Sequence, residues 1–199
     1  MATQQQQVSV VVEGRQLDLV LGDLFESDAA FLVVPCNTAG RSSPGFTRSL
    51  AERGIDASTT RMEPGGAMLI RTSADGAQGV MLAAVVTSPE SAEQDVRTAA
   101  RRVGDITGSG VSVAFPLLGT GPTDQLRPEV SLTAIATGYG DRPGPLSVHV
   151  LDRDVFESLI DFVGKRAGKQ AGTRAQRAST RPVVSLLETH LGRRSQLLR

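Results

Sequence analysis

The sequence predicts an α/β fold of three layers, α/β/α, and three observations lead to it. Short runs at Phe31–Pro35, Val80–Val86 and Val111–Phe115 are almost wholly apolar, as strands buried on both faces are. Between them lie segments whose apolar residues recur at helical spacing, among them Val96, Ala99, Ala100 and Val103. A strand, a small-residue loop and a helix follow one another from Val111 to Thr137. Strands covered on both faces require helices on both faces, hence the layers.

Taken in order, Val8–Val12 and Leu17–Leu21 read as strands joined by a Glu13-Gly14-Arg15 turn, the second running into Gly22-Asp23. Phe31–Pro35 is a third strand, stopping at Pro35-Cys36-Asn37. Thr47 to Arg53 forms a helix closed by Gly54. Ala67–Thr72 and Val80–Val86 are strands separated by a polar turn over residues 73–79, a spacing that suits a hairpin or an adjacent pair. Ser88-Pro89-Glu90 supplies an N-cap, a first-turn proline and an early acid for the helix that ends near Gly104. Val111–Phe115 is followed by Pro116 and the loop Gly119-Thr120-Gly121, after which Leu126, Val130, Thr133, Ala134 and Thr137 fall near helical spacing. Leu146–Leu151 is the last strand, and Val155, Leu159, Ile160, Phe162 and Val163 mark a closing helix.

Composition narrows the function classes. The 199 residues are 40% hydrophobic with 21 glycines, which fits one α/β domain plus an extension. No run of about twenty apolar residues exists to span a membrane, and Met1-Ala2-Thr3 followed by glutamines lacks a signal core, so a cytoplasmic protein is expected. The single cysteine, Cys36, excludes an intramolecular disulfide, and with two distant histidines it leaves no zinc pattern; neither metal nor cofactor is implied.

The net charge of zero conceals a division. Residues 1–164 carry 12 Lys/Arg against 20 Asp/Glu, a balance of −8, and residues 165–199 carry 9 against 1, a balance of +8. Residues 1–7 read as a flexible N-terminus, 8–164 as the folded domain, 165–182 as a basic flexible linker, and 183–199 as a short amphipathic tail helix with Val183, Val184, Leu187 and Leu191 on one face. A short isolated helix is marginal in water, so the tail is expected to dock on its own domain, a second copy or another protein. Its basic residues also suit a nucleic-acid backbone, although interleaved aromatics are missing.

The strand, loop and helix around residues 111–137 place backbone N–H groups and the positive end of a helix dipole at the C-terminal edge of a sheet, an arrangement suited to a phosphate or diphosphate. The loop alone is equally a tight turn. Gly119-x-Gly121 lacks the third glycine of a dinucleotide fingerprint, Asp124 standing there, and no P-loop lysine follows. Asp23 reads as a turn or N-cap aspartate or as a hydrogen-bond acceptor, and Asn37, the only asparagine, as a turn residue or a ribose-binding amide. Cys36 reads as packing, His149 as structural, and Asp152 and Asp154 as helix-start acids.

Gly22–Phe25 (GDLF), Val33–Asn37 (VVPCN), Pro44-Gly45-Phe46, Pro64–Ser73 (PGGAMLIRTS) and Val113–Gly121 (VAFPLLGTG) resemble, in order and spacing, the landmarks of the macro domain family. The resemblance covers roughly residues 8–164. It implies a mixed, mostly parallel sheet between helices, with a cleft for ADP-ribose or a related nucleotide along its C-terminal edge. In that cleft Asp23, beside Leu24, would hold adenine, with Leu151 against the base; Gly45, Phe46, Gly119, Thr120 and Gly121 would hold the diphosphate; and Asn37 would contact the distal ribose and, in a hydrolytic member, orient the reacting group. The first loop, Gly40 to Gly45, has fewer glycines than hydrolytic members carry, and Pro122-Thr123-Asp124 departs from the usual second loop. Three functions are consistent with these residues: a binding module for ADP-ribose, free or protein-attached; an ADP-ribosyl hydrolase; and an assembly protein that keeps the fold without the ligand.

Overall fold

A computed structural model of the chain describes residues 6–56, 61–71, 78–86, 88, 90–121 and 126–179, with the side chains of 86 and 168–179 left out. Seven strands form one sheet: β1 (Gln6–Val12), β2 (Arg15–Leu21), β3 (Phe31–Asn37), β4 (Ala67–Arg71), β5 (Gly79–Val86), β6 (Val113–Pro116) and β7 (Leu146–Val150). Their spatial order is β1-β2-β7-β6-β3-β5-β4. The pairs β2–β7, β7–β6, β6–β3 and β3–β5 are parallel, and the two edge strands are antiparallel to their neighbours. The sheet is thus mixed and mostly parallel, as expected. Glu13 and Gly14, both at positive φ (50° and 84°), make the two-residue turn between β1 and β2.

Among the described residues the helices are α1 (Pro44–Glu52), α2 (Ala92–Thr107), α3 (Pro128–Tyr139) and α4 (Arg153–Ser179), with a 3-10 turn at Leu24–Glu26. Alternation along the central strands divides the core in two. Val33, Met81, Ala83, Val85, Val113 and Phe115 join residues of α2, α3 and α4 in the larger cluster. Leu32, Val34, Cys36, Leu82 and Ala84 face Leu50 of α1 with Leu24 and Phe25 in the smaller one. A sheet with apolar residues buried on both faces is what the wholly apolar strand sequences require.

Several boundaries differ from the sequence reading. β1 begins at Gln6, inside the stretch read as a flexible N-terminus. α2 begins at Ala92 behind Ser91 rather than behind Ser88, and runs to Thr107 rather than ending near Gly104. α1 begins at Pro44 rather than Thr47, because proline fits the first helical position, where its missing N–H is not needed. α4 continues to Ser179, through most of the stretch read as a flexible linker. That stretch is rich in alanine, lysine, arginine and glutamine, all good helix formers, and has no proline before Pro182. Met1–Val163 and Gly164–Arg199 are separate compact units. The tail helix expected at 183–199 lies outside the described residues. Among the described residues no helix is long and apolar enough to cross a membrane.

Candidate functional site

Because β2, β7, β6 and β3 run parallel and side by side, their C-terminal ends share one edge. In spatial order this edge presents Asp23 after β2, Leu151 after β7, the 117–121 loop after β6, and Asn37 at the end of β3. Three strand spacings separate the outer two of these strands, about 14 Å.

Two prolines end the pairing of β3 with β6 short of this edge. The Phe31 N–H donates to the Ser112 carbonyl (3.1 Å), so alternate residues of β3, 33 and 35 among them, direct their amide positions toward β6. The Val113 N–H donates to the Pro145 carbonyl (3.0 Å), toward β7, so positions 114 and 116 face β3. Residues 35 and 116 are both proline and donate nothing. The β3–β6 register accordingly contains only Phe31↔Val113 and Leu32↔Ala114, and the strands are unpaired toward their C-terminal ends.

Asp23 is held from three directions. The Gly22 N–H donates to the Val150 carbonyl (3.0 Å), tying the end of β2 to β7. The Asp23 carboxylate accepts from the Phe25 N–H through Oδ1 (3.0 Å), capping the 3-10 turn, and Oδ2 has no partner among the described residues. The imidazole of His149, 6% exposed, pairs with the Asp23 backbone, and its Nδ1 is buried without a partner. Burial, opposed by the bond to the Asp23 backbone and by the Asp23 and Asp28 charges, leaves the His149 pKa below its ordinary value. His149 is therefore a neutral support under Asp23 at neutral pH.

Asn37 closes its own loop. Its Oδ1 accepts from the N–H groups of Ala39 (3.0 Å) and Arg41 (2.9 Å), and its backbone N–H donates to the Arg41 carbonyl (3.0 Å). This is the turn reading of the residue, and it leaves Nδ2 as the side chain's remaining hydrogen-bonding group. Beyond the turn, Gly45 lies in the first turn of α1 with open space around its Cα, and half-buried Phe46 packs on Phe25 at 6.0 Å between ring centroids. The Arg53 guanidinium lies over the Phe25 ring, 4.6 Å from its centroid, and donates to the Phe25 carbonyl (3.2 Å). This Arg53–Phe25–Phe46 stack joins the Asp23 turn to α1. Its members sit in unrelated parts of the sequence, so no sequence pattern announces it.

In the other loop, Gly119 is buried at φ 70°, and its carbonyl accepts from the Leu126 N–H (3.0 Å). The Thr120 hydroxyl donates to the Leu117 carbonyl (3.1 Å), and Gly121 is half-buried. Pro122–Asp124 lie outside the described residues. Leu151 is 78% exposed, an unusual position for a large apolar side chain. The Leu24 side chain is 3% exposed and packs in the smaller core cluster, so its backbone is the part that remains for a ligand. Burial pushes the Cys36 thiol up to about 12, which removes the thiolate at neutral pH. No group of His, Cys, Asp or Glu side chains suited to a metal ion occurs among the described residues.

A parallel-centred sheet between helices, with the candidate groups gathered at its carboxyl edge, defines the class; comparison with solved structures gives the particular fold. The chain has the macrodomain fold. It is similar to the Oceanobacillus iheyensis macrodomain with ADP (14% identity, TM-score 0.57, covering 82% of this chain and 100% of that one). It is similar also to the Trypanosoma brucei macrodomain in complex with ADP-ribose (18% identity, TM-score 0.55, 74% of this chain and 68% of that one). An alphavirus P23pro-zbd structure matches at 22% identity and TM-score 0.60 over 75% of this chain, which spans only 23% of the viral one. No family model and no curated protein matches the sequence.

Proposed function

We propose that the domain binds ADP-ribose or a closely related nucleotide across the edge formed by β2, β7, β6 and β3. The observation that carries this reading is the order of groups along that edge: a carboxylate acceptor at Asp23, an exposed apolar side chain at Leu151, a glycine loop of backbone donors at 119–121, and an amide at Asn37. An adenine, a diphosphate and a second ribose need these chemistries in this order. Solved structures of the same fold with ADP and with ADP-ribose support it. Asp23 would accept from the adenine amino group through Oδ2, Leu151 would cover the base, the 119–121 and 45–46 segments would meet the diphosphate, and Asn37 Nδ2 would donate to the distal ribose.

Binding rather than hydrolysis is the function favoured. The Asn37 side-chain oxygen is already engaged by two backbone amides, and Cys36 is held as a neutral thiol. The +8 balance of residues 165–199 against −8 in 1–164 favours the C-terminal segment as a docking element for a protein partner or a second copy.

Calorimetric titration of ADP-ribose, with AMP as control, tests the reading. Asp23→Asn keeps the acceptor for the Phe25 N–H but replaces the charge and turns a donor toward the base. It is expected to weaken binding by about 1.5–3 kcal/mol, the range for a hydrogen bond to a charged group. An unchanged affinity removes Asp23 from the ligand, and no heat with any nucleotide removes the reading.

A further inference from the structure

We infer that β1 is a joining surface: two copies of the chain pair through it, antiparallel across a two-fold axis, and their sheets become one.

The free side of β1 follows from the ladder beside it. The Gly22 N–H donates to the Val150 carbonyl (3.0 Å), so even-numbered residues along β2 direct their backbone groups to β7 and odd-numbered ones to β1. The β1–β2 register pairs Leu17, Leu19 and Leu21 with Val10, Val8 and Gln6. Gln7, Ser9 and Val11 therefore point their N–H and C=O groups away from β2. No strand of the described residues lies there, because β1 ends the sheet.

Natural edges are blunted by charge, proline or a bulge. The other edge strand, β4, has an irregular register between Leu69 and Arg71 and carries that arginine. β1, QQVSVVV, pairs without a break over its seven residues and holds neither a charge nor a proline. On a domain with a balance of −8 in residues 1–164, an uncharged edge is where two like-charged bodies can approach.

The occupant is a second copy because the strand complements itself. With Ser9 on the two-fold axis, Ser9 faces Ser9 of the other copy and each Gln7 faces the other copy's Val11. Each of these pairs exchanges two N–H···O=C bonds. On the core-facing side, Val8 of each copy then meets Val10 of the other. All four valines are half-buried in the single chains, and β-branched cross-strand pairs of this kind stabilise sheets. On the opposite face Val11, 60% exposed, gains cover. Asp18, whose carboxylate accepts from the Ser9 hydroxyl, stands three strand spacings from its counterpart, about 14 Å, beyond the Debye length at physiological salt. The joined strip, about 24 Å long, is smaller than the roughly 800 Å² per partner of a standard interface, so the pairing is reversible and concentration-dependent.

Sedimentation of the full chain and of Ser9→Pro tests this. The N–H at position 9 faces outward, so proline removes the central bonds between copies without breaking the β1–β2 ladder. The native chain is expected to rise from 20.9 kDa toward twice that mass between about 1 and 200 μM, and Ser9→Pro to need at least about tenfold more protein. A register test needs no proline. Ser9→Cys puts two thiols on the axis at a Cα separation of about 5.5 Å, within disulfide range, whereas in Gln7→Cys they are offset by four residues, about 14 Å. Under mild oxidation Ser9→Cys is expected to crosslink and Gln7→Cys is not, native Cys36 being buried. A mass constant at 20.9 kDa overturns the proposal and leaves the edge to some other chain. Self-association that Ser9→Pro leaves unchanged overturns it too, as does equal crosslinking of the two cysteine variants.

Discussion

Exchanging Asn37 for aspartate and, separately, for alanine distinguishes a residue that shapes its loop from one that also touches a ligand. In the native chain Oδ1 accepts two backbone N–H bonds, at 3.0 and 2.9 Å, from Ala39 and Arg41. Each is worth about 0.5–1.5 kcal/mol, and the turn is solvent-accessible, so alanine is expected to lower stability by about 1–2 kcal/mol. For a domain of this size that is a drop of roughly 2–8 °C in Tm. Aspartate retains the acceptor for both amides, and its stability should stay within about 0.5 kcal/mol of native. It also removes the Nδ2 donor and sets a negative charge where an anionic nucleotide approaches, so affinity should fall at least about tenfold. Urea unfolding and calorimetric titration of the two variants read these quantities independently. If aspartate destabilises as much as alanine, the two amide bonds are not what holds the 37–41 turn. If aspartate binds ADP-ribose as tightly as the native chain, Asn37 has no part in the ligand.

Further predictions concern the frame around the site. A Cβ at Gly138 on α3 would lie 2.2 Å from the Arg97 carbonyl oxygen of α2, so Gly138→Ala should destabilise by about 2 kcal/mol net, overpacking at the upper end of its usual range exceeding the gain in helix propensity; a stabilised variant in urea unfolding would refute the close crossing. Because the folded-state pKa of His149 lies below its ordinary 6.5, the unfolded chain takes up the proton first as the pH falls. The stability tied to the neutral imidazole is complete above pH 6.5 and is lost as the pH falls from there toward the folded pKa; unfolding midpoints should show this loss, and His149→Gln should remove it from the profile. A thiol held up to about 12 should resist iodoacetamide in the native protein at about pH 8 and react once urea unfolds it, so rapid native labelling of Cys36 would contradict its burial.

Much of the frame was legible because it rests on local rules. Apolar runs with no polar face specify strands buried on both sides, and β3, β5 and β6 are such strands. The glycine at 119 marks a turn at positive φ, which the structure has. The end of α4 is less legible because low hydrophobicity resembles lack of structure, whereas alanine, lysine and arginine favour a helix whether or not they have something to bury. Which way the Leu24 side chain turns is not written locally: a residue next to a capping aspartate can face the core, and this one does. The His149 support beneath Asp23 and the Arg53–Phe25–Phe46 stack depend on strand order and helix placement, which no local pattern encodes.

The paired prolines at 35 and 116 bear on how the free protein meets a ligand. A gap between adjacent strands that could be closed by hydrogen bonds would spend part of its time shut, and the apparent affinity would be reduced by the fraction of molecules found open. Here the donors for closure are missing from both sides, so backbone pairing of β3 with β6 cannot extend toward the site and offers no zipped competitor to a ligand. The arrangement is also tolerant of single changes. Replacing either proline restores one N–H, but the facing position still has none, and extending the pairing along its length requires two substitutions 81 positions apart in the chain.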